Sequence, residues 1–196
     1  MKRTMPVLRH LLAIALLLSL TPLAMAESRS MENADGSYNL TSWDAHGGEQ
    51  IGYSVALHEQ MALLGAPSGG WFGQGDVLVC SQSAGEPWSQ IAWLSSFMAE
   101  LEYGAQFGKC VAVHPNYSGI LLAVGAPGIN KVFIFHSSGS GLDWNLLAEI
   151  QGEPDSAFGS SIAMEDQLIA IGAPQEESGR GSVTVFVLEG VRHGAS

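Results

Sequence analysis

Cysteine is nearly absent from this 196-residue chain: Cys80 and Cys110 are the only two. That is too few for a disulfide scaffold or a cysteine-rich zinc module. Basic residues are scarce as well. Lysine and arginine total 8 against 19 acidic residues, for a formal net charge of −11. Three of the eight, Lys2, Arg3 and Arg9, stand among the first ten positions. Phosphate recognition needs clustered positive charge, so no nucleic-acid partner is expected. Charged residues make up only 14% of the chain against 46% hydrophobic, which excludes wholesale disorder. Beyond the first two dozen residues no apolar run approaches the roughly 20 residues that a membrane helix needs. Stable membrane insertion is therefore not expected.

The catalytic signatures are missing too. There is no G-x-S-x-G elbow and no phosphate-binding G-x-x-x-x-G-K-[ST]. The histidines, His10, His46, His58, His114, His136 and His193, include no pair at metal-ligand spacing. We assign no catalytic residue, metal site or cofactor, and the chain is not expected to be an enzyme.

What is present starts with a targeting signal. Lys2, Arg3 and Arg9 precede an apolar core over Leu11–Leu20, then Pro22 and the small-x-small triplet Ala24-Met25-Ala26. This pattern predicts a signal peptide over 1–26, cleaved after Ala26, and a secreted or periplasmic product. The mature chain keeps five basic residues and all nineteen acids. Residues 27–37 are polar and without periodicity, and read as a flexible leader. Residues 191–196 read as a tail.

The chain's 24 glycines, most of them between leader and tail, punctuate short apolar runs, the signature of strands and turns. The fold class is all-β. Only Trp93–Glu102 has the composition for a helical turn or two. Self-similarity is the stronger signal. Ile51-Gly52, Phe107-Gly108 and Phe158-Gly159 open three units. Each has a small residue two places on (Ser54, Cys110, Ser161), then an apolar run, then Gly-Ala-Pro at Gly65, Gly125 and Gly172. Each continues into a β-rich strand, DVLVC, KVFIF or SVTVF, and a tryptophan-bearing strand (PWSQIAWL, DWNLLAEI) follows the first two. The period of about 50 residues is near that of a four-stranded propeller blade. Proline should end the second strand of each unit, having no N–H for the ladder.

These motifs resemble the FG-GAP repeat, the blade of the integrin α-subunit β-propeller. The resemblance spans 38–190, with repeats at about 47–94, 103–150 and 154–190. It implies three four-stranded blades, placement outside the cell, and protein or cell-surface binding, as in adhesion, rather than catalysis. Some family members hold calcium in an Asp-x-Asp-x-Asp-Gly hairpin. The matching hairpins here, LHEQM, VHPNYSGIL and MEDQL, lack that acidic spacing, so calcium is not carried over. Glu165-Asp166 reads as a solvated turn, and His58 and His114 as surface histidines beside turns. The resemblance also implies a ligand face at the loops after the second strands. There Trp71 and Phe72 lie on the glycine-rich Ser68–Gly75, where they either anchor a partner or tuck onto a neighbouring blade.

Some readings stay open. An oxidising compartment permits a Cys80–Cys110 disulfide, yet burial as two small hydrophobes fits the repeat equally well. Asn39 and Asn116 head glycosylation sequons, which count only in a eukaryotic host. The runner-up functions are a propeller-scaffold hydrolase or lyase, with Glu49, Glu153 and Asp155 as its carboxylates, and a partial gene product without independent role. Three blades are too few to surround an axis. The third unit lacks its tryptophan strand, while residues 38–43 look like one. We therefore expect either a partial propeller or a ring completed by oligomerisation. In the second case two chains form a homodimer, each lending 38–43 as a closing strand.

Overall fold

The computed structural model describes residues 31–42, 47–70, 73–95, 101–116, 118–139 and 141–188. It is all-β, with antiparallel pairing throughout its sheets. β1 (Met31–Glu32) and β2 (Tyr38–Asn39) form a small hairpin. A first sheet runs β3 (Ser54–His58), β4 (Met61–Ala66), β5 (Asp76–Ser81), β6 (Ser89–Ser95) in sequence order. A second runs β7 (Cys110–Asn116), β8 (Gly119–Ala126), β9 (Lys131–Ser137), β10 (Asn145–Gln151). The third has three strands among the described residues, β11 (Ser161–Glu165), β12 (Leu168–Ala173), β13 (Ser182–Val187).

Each Gly-Ala-Pro closes the second strand of its sheet, at Ala66, Ala126 and Ala173. The following proline cannot extend the ladder. The second strands of the first two sheets are nearly continuous apolar runs because both of their faces are covered. In β4 and in Ile120–Ala126 of β8 every residue is buried.

Register fixes which residues share a face. In the first sheet Met61, Leu63, Val77 and Val79 look one way, here the front. Leu64, Leu78, Ala62 and Cys80 look the other way, the back. The front of the first sheet packs on the back of the second, where Leu122, Val124, Phe133 and Phe135 meet it. The front of the second sheet (Leu121, Ala123, Val132, Ile134) packs on the back of the third (Ile169, Ile171, Phe186). One stacking rule thus operates twice.

Three expectations are corrected. Residues 31–37 do not run free as a leader: Met31–Glu32 pair with Tyr38–Asn39 around a turn in which Asn33 N–H donates to the Ser37 carbonyl at 2.7 Å. That pairing also holds the start of 38–43 in its own hairpin instead of on another sheet; Trp43 lies outside the described residues. Trp93 to Ser95, the start of the Trp93–Glu102 segment where a helical turn was allowed, end strand β6, and residues 96–100 lie outside the described residues. The Cys80 and Cys110 thiols are free. Cys80 faces backward from the first sheet, paired beside Ala62, and Cys110 faces forward from the second, beside Gly125. Both sheets stand between them, so no disulfide can span the gap without rearranging the core. The signal peptide and its Ala26 site, and the tail 191–196, lie outside the described residues.

Candidate interaction surface

Gly-Ala-Pro and the glycine that follows Ile51, Phe107 or Phe158 meet at one joint, made in every sheet. Gly52, Gly108 and Gly159 all adopt a left-handed φ, between 84° and 91°, which glycine alone takes without strain. Each donates its N–H to the carbonyl of Gly65, Gly125 and Gly172 respectively, at 3.0–3.1 Å. The joint also links neighbouring sheets. The Gly108 carbonyl oxygen lies so close over Gly65 that a Cβ there would overlap it, and the Gly159 carbonyl lies over Gly125 likewise. Ser54 Oγ donates to the same Gly108 carbonyl at 2.8 Å. Phe107 fills the interface beside it, edge-on to Phe133 and Phe135. Phe158 does so at the next, edge-on to Phe186.

At the third sheet this pattern stops. Its front face carries Leu168, Val183, Val185 and Val187, exposed by 48%, 68%, 60% and 58%. The matching Val77, Val79, Val132 and Ile134 are 0–1% exposed. A contiguous exposed apolar strip of this kind marks an interaction surface. Gly172 and Ser161, which match Gly65 and Ser54, have no carbonyl from a further sheet over them. Among the described residues no strand pairs with the outer edge of β13. An open edge is a template for strand addition.

Other expected site residues are placed as follows. Trp71 and Phe72 lie outside the described residues. Their loop leads to Gly75, which pairs with Phe107 of the interface between the first and second sheets. Glu49 stands in the loop entering the first sheet, and Glu153 and Asp155 in the loop entering the third. The second sheet separates them, and among the described residues no three His, Cys, Asp or Glu side chains gather as metal ligands. His114 does more than flank a turn. Its Nε2 accepts the Asp166 backbone N–H at 3.0 Å, which ties the second sheet to the turn of the third. Asp166 sits at φ 52°, so Glu165-Asp166 is the tight turn of that hairpin. Of the sequon residues, Asn39 lies exposed in β2 and Asn116 ends β7, where its Oδ1 accepts from Ser118 N–H and Oγ.

Asp76 went unnoticed in the sequence. It is 1% exposed, the one fully buried carboxylate among the described residues, and Gly69 and Gly70 wrap its Oδ2. No signal marked it, because Lys131 and Ser182 occupy the matching positions of the other units.

Burial pushes the Cys80 thiol from 9.0 up to about 11 and raises that of Cys110 as well. The unfolded chain ionises first. Burial of Cys80 therefore favours the native state fully below pH 9, a contribution lost as pH rises from 9 toward 11. In the native protein Cys80 is expected to resist a thiol reagent at neutral pH and to react on unfolding. Rapid labelling without denaturant, read by intact mass, would show that the back of the first sheet is not closed.

No family model matches the chain, and no curated protein does.

Proposed function

We propose that this is an exported, non-catalytic interaction module built of three FG-GAP-like propeller blades, the third lacking its outer strand. Its ligand is a protein or a cell-surface component. The front face of the third sheet carries this reading, because Leu168, Val183 and Val185 are solvated there while their counterparts Met61, Leu121, Val77, Val132, Val79 and Ile134 are core. Front-to-back stacking of units with identical joints supports the blade assignment, as a propeller repeats one interface around an axis. Export rests on the N-terminal charge, the apolar core and Ala24-Met25-Ala26.

The test is a photo-crosslinking amino acid at Val185 of the protein made in the organism that encodes it. A control carries the same group at Leu147, 57% exposed on β10 of the complete second sheet. A discrete adduct at 185 and none at 147, in the exported fraction and on a chain beginning at Glu27, is expected. No adduct at 185, or a chain retained in the cytoplasm with Met1 intact, would overturn the reading.

A further inference from the structure

We infer that the partner at the third sheet's front face is the first sheet of a second copy of this chain, docked head to tail. The inference rests on the interaction-module reading and names the partner. The interface it needs already exists twice within one chain. In both cases a front face receives a back face, and the arriving glycine carbonyl settles over the glycine of Gly-Ala-Pro.

Each chain holds one further copy of both halves: the receiving half is exposed, and the arriving half lies buried under the chain's own cover, which includes Leu40. The receiving half is at the third sheet: Gly172 with Ser161 beside it, framed by Leu168, Val183, Val185 and Val187. The arriving half is at the first sheet. Gly52 has the same φ as Gly108 and Gly159 and the same N–H bond to its own sheet, at 3.0 Å. Yet Gly108 is wedged against Asp76 and Ala66 of the preceding sheet, and Gly159 against Lys131 and Val132, whereas around Gly52 there is open space. The flanking residues agree. Ile51 and Trp88 are half-buried on the back of the first sheet, while Phe107, Phe158 and Trp144, their counterparts, are 0%, 3% and 7% exposed.

The two halves are complementary, not alike, so the contact is heterologous. Two copies satisfy both ends of both chains at once, giving a ring of six sheets with two-fold symmetry. Leu40 now packs on the back of the first sheet, so docking moves the N-terminal segment aside. It then stands next to the partner's β13, whose outer edge is open.

Light scattering after size exclusion tests this on the purified protein. The expected mass is twice that of one chain. Val185→Lys places a charge in the apolar contact and is expected to weaken association by about 100-fold or more. Val185 is exposed in the single chain, so that variant should fold and keep its circular dichroism. Leu147→Lys should leave the dimer intact. A monomer at every concentration, or a dimer indifferent to Val185→Lys, overturns the inference. In the crosslinking experiment an adduct of two chains supports it. An adduct with another protein overturns it while leaving the module reading in place, and no adduct at all overturns both.

Discussion

Phe107→Ala is expected to destabilise the protein by about 3–5 kcal/mol, the range for truncating a fully buried large aromatic. Ile51→Ala, at the same position of the first unit, should cost about 1–2 kcal/mol. The difference comes from position in the stack, not from residue type alone. Phe107 is 0% exposed between the first and second sheets. Its ring meets Phe133 at 5.6 Å and Phe135 at 6.0 Å between centroids, both edge-on. Its N–H is fixed by the Gln74 carbonyl at 2.8 Å. Removing the ring leaves a void walled by two rigid sheets, which cannot collapse to fill it. Ile51 packs on one side only, so its loss leaves little void. Since a domain this size has a total stability of about 5–15 kcal/mol, the Phe107 variant should unfold at a much lower urea concentration with little change in slope. Equal losses at the two positions would mean that Ile51 is as enclosed as Phe107. The open end inferred for Ile51 and Gly52 would then be wrong.

That contrast bears on what was legible in the sequence. Strand positions were, because apolar runs bounded by Gly and Pro report local conformation directly. DVLVC, KVFIF and SVTVF all lie within strands, and among the described residues no fourth strand follows β13. The small hairpin was not legible. A two-residue strand such as Met31–Glu32 has no periodicity to read, and its turn is held by side chains: Asp35 Oδ1 accepts from Ser37 N–H and Oγ. Those bonds hold the Asp35 carboxyl below its usual range. The separation of Cys80 from Cys110 was beyond the sequence as well, because it depends on which way each sheet faces. One residue of register decides that.

The exposed apolar strip of the third sheet was half legible. Val183, Val185 and Val187 alternate as a strand with one covered face should, and nothing in SVTVFV says that the cover is missing. The same alternation in DVLVC leads to full burial. Exposure here follows from packing order: among the described residues no sheet packs on the front of the third. Repetition in the sequence predicted like structure at like positions, and the functional difference sits where the repetition ends.

The three glycines of Gly-Ala-Pro therefore give the largest predicted contrast between identical substitutions. Gly65→Ala and Gly125→Ala each put a methyl group into the carbonyl oxygen of Gly108 or Gly159. That oxygen cannot swing away. It belongs to a backbone held by the N–H bonds of Gly108 to Gly125 and of Gly159 to Gly172, both at 3.1 Å. Relief requires neighbouring sheets to part, which loosens the whole interface. A loss of about 3 kcal/mol or more is expected for each, at the upper end of overpacking costs. The entropic gain from replacing glycine, about 0.4–1 kcal/mol, does not offset it. At Gly172 the new methyl meets only Ser161 of its own sheet, foremost its Oγ. A serine hydroxyl rotates, so stability of the single chain should change by less than about 1 kcal/mol. Association should nevertheless fail, because the methyl occupies the place of the incoming Gly52 carbonyl. Thermal unfolding and light scattering on the three variants separate the cases: two poorly folded proteins, and one well-folded monomer. Were Gly172→Ala as damaging to the fold as Gly125→Ala, Gly172 would already be covered within the single chain, and the head-to-tail contact would have nowhere to form.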